Sequence, residues 1–303
     1  MKEASIDIGT NSVLLLVAEK RDGRLTILDE KQEIPRLGKG VDREKNLHPD
    51  SRKRVLSVLQ FYKEWLMKNY PVVIDRVRLT ATSAVRDASN RKEFIREIHT
   101  ITGWPVQLLD GKEEAETTYR GALSVLHDVK GMYNLVLDIG GGSSEIAAGR
   151  GFTFDEGISF DMGSVRFSER FFSGDPPPAE DIMNTRVAVQ AFLNGKKVPG
   201  ENFRAIGVAG TVTSLAGIES GLKHYNSKKL NGYRLGKLSI EKLVKEFSIK
   251  SAYEIEKKYP THLKGRGDVI LAGTLILNEF LEWCGKSEII VSTGGIRHGI
   301  LFQ

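Results

Sequence analysis

Cysteine and long hydrophobic runs are what this sequence has least of. Cys284 is the only cysteine in 303 residues, which excludes an internal disulfide framework and any metal site built from several cysteines. In LNEFLEWCG it is predicted to be a buried small side chain on a helix rather than a nucleophile. No apolar run approaches the roughly 18 residues that span a bilayer. The N-terminus also lacks a signal-peptide pattern, so we expect a cytoplasmic protein without a membrane partner.

The common nucleotide-binding loops are also missing. A Walker A loop needs Gly-x-x-x-x-Gly-Lys-Ser/Thr before a helix, and a dinucleotide fingerprint needs Gly-x-Gly-x-x-Gly entering a helix. Here the glycines of DIGGGSSE, residues 138–145, stand between two predicted strands. The net charge of +5 and the pI near 9.1 favour anionic partners only mildly, and they do not indicate a specific nucleic acid.

Strand and helix patterns alternate along the chain, and the order of elements begins twice. An α/β protein with layered sheets and helices follows from this alternation. Strands are predicted at 5–8, 13–19, 25–34, 77–80 and 106–109, then at 134–139, 144–149, 152–160 and 204–208. Helices are predicted at 49–68, 91–101, 112–129, 240–247, 269–283 and 296–301. The repeated meander predicts two similar domains, residues 1–130 and 131–303, while the basic segment 223–237 is predicted to be an exposed loop.

A hairpin motif occurs once in each half, as ASIDIGTNSVLLLVA and VLDIGGGSSEIAAG. A two-residue turn at Gly141 and Gly142 would place Asp138 directly opposite Glu145. Their Cβ atoms would then lie about 5 Å apart on one face. The first copy aligns Asp7 with Asp138 but has Leu14 where Glu145 stands.

Two facing carboxylates repel each other, so the pair calls for a compensating charge. Mg²⁺ is one solution, because it accepts one or two carboxylates and bridges to phosphate oxygens. A solvated hairpin face with the two charges splayed apart is the structural alternative. Glycines 140–142 allow close approach of an anion to backbone amides, and Ser143 and Ser144 add hydroxyl groups.

Nine motifs in order resemble the Ppx/GppA family, the exopolyphosphatases and guanosine pentaphosphate phosphohydrolases of the sugar kinase, Hsp70 and actin superfamily. They are DIGTNS (7–12), ATSAVRDA (81–88), GKEEAETTYRGA (111–122), DIGGGSSE (138–145), DMGSVRF (161–167), GVAGTVTSLA (207–216), LNGYRL (230–235), GRGDVILAG (265–273) and STGGIRHG (292–299). One departure is His298, where the family usually has glutamate.

The resemblance implies two ribonuclease H-like (actin-like ATPase) domains with a phosphate-binding hairpin from each at a central cleft. It also implies hydrolysis of a terminal phosphoanhydride, with Mg²⁺, or Mn²⁺ in its place, held by Asp138 and Glu145. Expected phosphate-binding residues are Thr10, Asn11, Ser12, Arg86, Gly140, Gly141, Gly142, Ser143, Ser144, Gly210 and Thr211. For Arg86 and for 207–216 the structural alternatives are an ordinary salt bridge and helix packing.

The family's general base is a glutamate of the EEA motif, and helix geometry selects among three candidates. Glu113 is at the capping-box position relative to Asp110, which gives it a structural role. Glu114 is at the margin of the apolar helix face, a position that suits the wall of a cleft, whereas Glu116 on the other margin is the alternative. We therefore expect Glu114 to be the base, with a pKa raised by partial burial beside bound phosphate.

Three functions are consistent with these residues. The first is an exopolyphosphatase; the second is a guanosine pentaphosphate (pppGpp) phosphohydrolase or dual enzyme of the stringent response; the third is a non-catalytic sensor of guanosine tetraphosphate or polyphosphate. A homodimer is also expected. Basic residues expected to steer a long polyanion are Lys223, Lys228, Lys229, Arg234, Arg166 and Arg266.

Overall fold

Each predicted strand meander forms one mixed sheet in the computed structural model, which describes residues 1–21, 24–127, 129, 131–198, 200 and 202–303. The chain divides into unit 1, Met1–Ser124 with Gly294–Gln303, and unit 2, Val125–Thr293. Residue 130, the predicted boundary, lies outside the described residues. Within the described ranges, no helix is both long and apolar enough to span a membrane.

Unit 1 contains five strands and six α-helices among the described residues. Its strands are β1 (Lys2–Ile8), β2 (Val13–Arg21), β3 (Arg24–Glu33), β4 (Val77–Ala81) and β5 (Val106–Leu108). Its helices are α1 (Val41–Glu44), α2 (Pro49–Asn69), α3 (Ser83–Asp87), α4 (Arg91–Thr102), α5 (Gly111–Ser124) and, from the end of the chain, α14 (Ile296–Gly299); 3₁₀ helices follow at Pro71–Arg76 and Ile300–Phe302.

Unit 2 contains six strands and eight α-helices among the described residues. Its strands are β6 (Tyr133–Ile139), β7 (Ser144–Arg150), β8 (Thr153–Phe160), β9 (Phe203–Val208), β10 (Arg234–Gly236) and β11 (Glu288–Val291). Its helices are α6 (Ser164–Phe171), α7 (Ala179–Leu193), α8 (Ala209–Glu219), α9 (Ser227–Leu230), α10 (Lys237–Phe247), α11 (Ala252–Lys258), α12 (Pro260–Leu263) and α13 (Gly267–Cys284).

The two sheets share one topology. Unit 1 has the order β3-β2-β1-β4-β5, and unit 2, read from the corresponding edge, has β8-β7-β6-β9-β11-β10. Three antiparallel strands are followed in each by two parallel strands, which need a crossover connection, and in unit 2 the edge strand β10 adds an antiparallel pair with β11. The predicted α/β class with two similar sheets is confirmed, and the duplicated meander is the reason that the sequence order of elements begins twice.

Apolar alternation and helix periodicity place the two cores. In unit 1 the sheet packs on α2 and α4 through fully buried residues such as Ile6, Leu59 and Phe94. In unit 2 the central element is α13, which is buried along nearly its whole length. Cys284, at its end, is buried as predicted, and this burial raises the pKa of its thiol to about 11.

Two segments differ from the sequence prediction. Residues 223–237 are not a featureless loop, because α9 is capped by the Asn226 side chain and β10 pairs with β11. The predicted helix at 112–129 ends at Ser124, and residue 128 lies outside the described residues.

The last ten residues pack with unit 1, whereas the sequence prediction placed them in the second domain. Ile300 and Leu301 form a buried cluster with Leu16 and Ala18 of β2. The hydroxyl of Ser5 on β1 also donates a hydrogen bond to the carbonyl of Arg297. The reason is that this segment buries the apolar side chains of Leu16 and Ala18 on β2 and gives the Ser5 hydroxyl of β1 a partner.

A single methyl group tests how tightly this terminal segment is packed. A Cβ atom on Gly299 would lie 1.8 Å from the carbonyl oxygen of Thr117, a backbone atom of α5 that cannot rotate away. Gly299→Ala is therefore expected to lower the free energy of unfolding by about 1–3 kcal/mol, measured by urea denaturation. Gly295→Ala is the matched control, because its Cβ would meet nothing within 4 Å. Equal free energies of unfolding for Gly299→Ala and Gly295→Ala would contradict tight packing of Gly299 against α5.

Candidate active site residues

The hairpin of unit 2 has the register that the sequence predicts. Asp138 pairs with Glu145 and Ile139 with Ser144 across β6 and β7. Both carboxylates are buried, with 7% and 1% of their surface exposed, so the alternative of two splayed, solvated charges is wrong. Glu145 accepts a hydrogen bond of 2.6 Å from the Ser159 hydroxyl on β8, a contact that the sequence did not reveal.

The turn of this hairpin is held from behind by α6. Backbone amides of Ser164 and Val165 donate to the carbonyls of Gly140 and Gly141. Gly163 is required there, since a Cβ atom would lie 2.3 Å from the Gly141 carbonyl oxygen. The amides of Gly141 and Gly142 themselves donate no hydrogen bond within the described residues. Those amides are therefore the groups that an anion can use.

Two side chains near this turn differ from expectation. Arg166 is a buried residue rather than a surface cation, and its Nε donates to the Gly142 carbonyl, so it supports the turn instead of steering substrate. The Ser144 hydroxyl donates to the carbonyl of Met162. Ser144 is thus tied to the protein through its hydroxyl, while Ser143 is buried beside it.

Strand pairing brings the start of α8 to the same edge of the sheet. Asp138 is in register with Val208, the residue that precedes Ala209 and Gly210. Ala209 has a φ of 67°, an uncommon left-handed conformation for a residue with a side chain, which marks a constrained turn. A Cβ atom on Gly210 would lie 1.6 Å from the Arg266 guanidinium. Free amides at a helix N-terminus beside an arginine suit an anion.

Arg266 is not an ordinary surface cation. Burial lowers the pKa of its guanidinium. Its side chain forms no hydrogen bond or ion pair within the part of unit 2 that the structure describes. A partly desolvated cation without a counter-ion is the kind of group that binds an anionic ligand.

The hairpin of unit 1 is built in the same way as that of unit 2. Asp7 pairs with Leu14 across the hairpin and accepts a hydrogen bond of 3.2 Å from Thr80 of β4. The carbonyls of Thr10 and Asn11 accept from the amides of Gly38 and Arg36, as the turn carbonyls of unit 2 accept from α6. Only the second hairpin, however, has two facing carboxylates.

Asn11 has an orphaned polar atom at this turn. Its side-chain Oδ1 is buried and has no hydrogen-bond partner among the described residues. A 180° rotation of the amide would place a donor Nδ2 there instead, and a phosphate oxygen would satisfy it. This observation is consistent with a ligand at the turn formed by Thr10, Asn11 and Ser12.

Glu114 and Arg86 form an ion pair in unit 1. The Arg86 guanidinium donates to the Glu114 carboxylate at 2.8 Å and to the Leu109 carbonyl at 3.0 Å. Glu114 is only 4% exposed, so it lies deeper than the predicted margin of the helix. Gly38 contacts both Thr10 and Ala84, which shows that the hairpin turn and α3, the helix of Arg86, are neighbours.

The neighbouring glutamates have structural roles. Glu113 and Asp110 form the predicted reciprocal cap, each side chain accepting from the other's backbone amide. Glu116 pairs with Arg120 one turn along α5. Of the three glutamates in the motif, Glu114 alone is both buried and paired with the predicted phosphate-binding arginine.

His298 occupies a fully buried position in α14. Neither ring nitrogen has a hydrogen-bond partner among the described residues. Burial, together with the adjacent Arg297 charge, holds the pKa of His298 well below its usual value. The imidazole is therefore neutral, unlike the glutamate that the resemblance leads one to expect.

Asp138 and Glu145 could hold a divalent cation only together with waters and substrate oxygens as further ligands. No cluster of three or more His, Cys, Asp or Glu side chains suited to a metal occurs in the described ranges. Asp138 and Glu145 face each other and are buried, which fits an oxygen-ligated ion such as Mg²⁺ that retains waters and binds substrate oxygens. Glu145 oriented by Ser159 would be one ligand and Asp138 the other.

The structure thus places the predicted residues in two groups, one in each unit. Unit 1 contains Thr10, Asn11, Ser12, Arg86 and Glu114. Unit 2 contains Asp138, Gly140, Gly141, Gly142, Ser143, Ser144, Glu145, Gly210 and Thr211. The residues that sequence reasoning missed are Thr80 and Ser159, whose only signal was a hydroxyl residue on a predicted strand, and Gly163, which lies in the motif DMGSVRF but was given no role.

Comparisons with known proteins give consistent results. The profile of the Ppx/GppA phosphatase family matches residues 16–303. Exopolyphosphatase 2 of Mycobacterium tuberculosis is 31% identical, over 98% of this chain and 96% of that protein. The crystal structure of the Aquifex aeolicus member of the Ppx/GppA family has a TM-score of 0.83 at 33% identity, covering 100% of this chain and 96% of that one.

A further relative is longer than this chain. The bifunctional 3-dehydroquinate synthase/phosphatase of Fusobacterium nucleatum is 34% identical over 317 residues. The match covers 99% of this chain but only 46% of that protein, so the chain spans less than half of its length.

Proposed function

The chain belongs to the Ppx/GppA phosphatase family, and from that premise we propose that it is an exopolyphosphatase that releases orthophosphate from the ends of inorganic polyphosphate. Family membership makes it a hydrolase of phosphoanhydride bonds. Polyphosphate as the substrate is supported by the relative named exopolyphosphatase, which matches over nearly the full length of both chains.

The observation that carries this proposal is the ion pair of Glu114 with Arg86. Hydrolysis of a phosphoanhydride needs a group that accepts a proton from water and a cation that holds the phosphoryl group. Glu114 is a buried carboxylate at 2.8 Å from the Arg86 guanidinium. Hydrogen bonds to Leu109 and Glu114 hold the Arg86 side chain in place, and a guanidinium is a planar donor that matches the geometry of phosphate oxygens.

The proposed reaction consumes one water per phosphate released. Glu114 orients the water and accepts its proton while the water oxygen bonds to the terminal phosphorus; the bridging P–O bond breaks, and its electron pair leaves with the shortened chain. Asn11, Ser12 and Arg86 of unit 1 stabilise charge on the phosphoryl oxygens. In unit 2, the amides of Gly141 and Gly142 are donors of the kind that bind phosphate oxygens. The proton on Glu114 is then lost to solvent.

Asp138 and Glu145 would hold Mg²⁺ or Mn²⁺, which when bound neutralises charge on phosphate oxygens. Ser159 fixes the orientation of Glu145 through its hydrogen bond. Arg166 and Gly163 keep the glycine turn in place, so that its amides are presented without further rearrangement. Arg266, beside Gly210, supplies one more cation for phosphates beyond the terminal one.

A guanosine pentaphosphate phosphohydrolase would use the same groups, and one observation favours it as the second candidate. Unit 2 has a pocket of about 250 Å³ whose lining includes the apolar side chains of Phe172, Phe247 and Leu271. Glu169 and Asp175 also line it. An apolar lining with a few hydrogen-bond acceptors suits a flat heterocyclic base.

Hydrolysis of two substrates separates the candidates. Release of orthophosphate is measured with Mg²⁺ from long-chain polyphosphate and from pppGpp at equal concentrations of chain ends. We expect kcat/KM for polyphosphate to exceed that for pppGpp by at least about tenfold, equivalent to about 1.4 kcal/mol. Release confined to pppGpp would overturn the proposal in favour of the second candidate, and release from neither would favour the sensor.

A further inference from the structure

The basic charge of the protein is concentrated in one segment of unit 2. Residues 223–266 contain ten lysines and two arginines but only four glutamates and no aspartate, a net formal charge of +8, compared with +5 for the whole chain. The rest of the sequence is therefore slightly acidic. The positive electrostatic field of this segment attracts a polyanion before any specific contact forms.

The glutamates of this segment are already engaged. Glu246 accepts from Tyr259 and pairs with Lys258. Glu254 caps α11, and the Glu256 carboxylate accepts from the amide of Gly267. Glu241 lies 3.9 Å from Lys237. These carboxylates consequently leave most of the lysines without a counter-ion.

Four of the exposed lysines form a surface that we name the basic track: Lys223, Lys228, Lys229 and Lys264. None of them forms an ion pair within the described part of unit 2. The nearby carboxylate of Glu219 is hydrogen-bonded to Tyr233. The track thus carries four uncompensated positive charges in water.

Contacts with α8 fix where the track lies. At one end of the helix the His262 ring packs on Gly217, and its Nε2 lies 2.7 Å from the carbonyl of Leu222, the residue before Lys223. At the other end the Arg266 guanidinium packs on Gly210. Lys264 stands between these two fixed points. Gly210 and Gly217 are seven residues apart on α8, which is about 10 Å at 1.5 Å per residue.

The second pair of lysines, Lys228 and Lys229, also lies beside α8. Asn226 caps α9 by accepting from the amide of Lys229, so Lys228 and Lys229 stand on a short ordered helix that contacts α8. The track therefore follows α8 from its C-terminal end toward Gly210 and Thr211, the predicted phosphate-binding residues at its N-terminal end. A ligand must carry repeated negative charge over at least about 10 Å to use all of it.

We propose that the basic track binds long-chain inorganic polyphosphate outside the hydrolytic site and directs the chain along α8. This inference rests on the proposed function only in taking polyphosphate as the substrate. Binding of the polyphosphate at a second place keeps its end near the reactive groups between successive cleavages. This raises the effective concentration of polyphosphate ends at those groups. Nucleic acid is disfavoured, because residues 223–266 have only two exposed aromatic side chains, Tyr225 and Tyr253, and single-strand binding needs several stacking surfaces.

Binding, rather than hydrolysis, is the primary test. A variant with Lys223→Gln, Lys228→Gln, Lys229→Gln and Lys264→Gln is compared with a control of equal charge change, Lys2→Gln, Lys53→Gln, Lys68→Gln and Lys92→Gln, all exposed positions of unit 1. Fluorescence anisotropy with end-labelled long-chain polyphosphate gives Kd as a function of salt. We expect Kd to rise at least tenfold in the track variant and the slope of log Kd against log salt to fall by about 2–3.

Several outcomes overturn the inference. Equal weakening in both variants would show that only net charge matters. A loss of tripolyphosphate hydrolysis in the track variant would show that these lysines belong to the hydrolytic site, since we expect kcat/KM for tripolyphosphate to stay unchanged. Tighter binding of a single-stranded oligonucleotide than of polyphosphate by the unmodified protein would assign the surface to nucleic acid.

The design also separates this inference from the proposed function. If the unmodified protein releases no phosphate from polyphosphate, the proposed function fails, and the anisotropy measurement still decides whether the track binds the polymer. If hydrolysis is efficient and the track variant binds the polymer normally, the inference about the track fails alone.

Discussion

Replacing Glu114 with glutamine is expected to lower kcat for phosphate release by about 10²–10⁴-fold, the usual contribution of a general base. Glutamine has the size of glutamate and can still accept the hydrogen bond from Arg86, but it cannot take a proton from water. The Arg86 contact at 2.8 Å and the burial of the side chain should therefore persist while the chemistry stops. Orthophosphate release under substrate saturation measures the effect.

Glu116→Gln is the matched control for this prediction. Glu116 lies on the same helix, two residues away, and its partner is Arg120 on the surface of α5. We expect its kcat to change by less than about twofold, because an exposed ion pair contributes little. Unaltered hydrolysis in Glu114→Gln would contradict the assignment of Glu114 as the base.

The second large effect is expected at the facing carboxylates of unit 2. Asp138→Asn removes one of the two charges that would hold the cation and should raise the Mg²⁺ concentration for half-maximal activity by at least about tenfold. Because asparagine retains an oxygen ligand, excess Mg²⁺ should restore part of the activity. A titration of phosphate release against Mg²⁺, repeated with Mn²⁺, measures this.

The control for the metal prediction is Glu156→Gln, an exposed carboxylate on β8 of the same unit. Its Mg²⁺ requirement should stay unchanged, because it is not part of the buried pair. A Mg²⁺ requirement that is identical in Asp138→Asn and the unmodified protein would show that Asp138 does not hold the ion.

Local patterns in the sequence were sufficient to predict the register of the hairpins. A glycine pair between two apolar runs fixes a two-residue turn, and alternation along the strands then fixes which residues face each other. Asp138 opposite Glu145 follows from these rules, and Asp7 opposite Leu14 follows from the alignment of the two hairpin motifs. The cap of α5 by Asp110 and Glu113 was predictable for the same reason, since all of its atoms lie within one helical turn.

Contacts between distant parts of the chain were not predictable in this way. Arg86 and Glu114 are 28 residues apart, and no periodicity relates α3 to α5, so their direct pairing appears only in the fold. Arg166 looked like a surface cation because its helix was not recognised. Ser159 resembled any other strand residue, since the register shift between β7 and β8 is invisible in the sequence.

Because residues 294–303 pack in unit 1, the direction of synthesis also determines which unit can complete its packing first. The partner of Ser5, Arg297, is added to the growing chain 292 residues after Ser5. Until then the outer faces of Leu16 and Ala18 stay uncovered, while every residue of unit 2 has already been translated. Unit 2, which is continuous in sequence, can therefore complete its packing on the ribosome before unit 1, although domains generally form in N-to-C order.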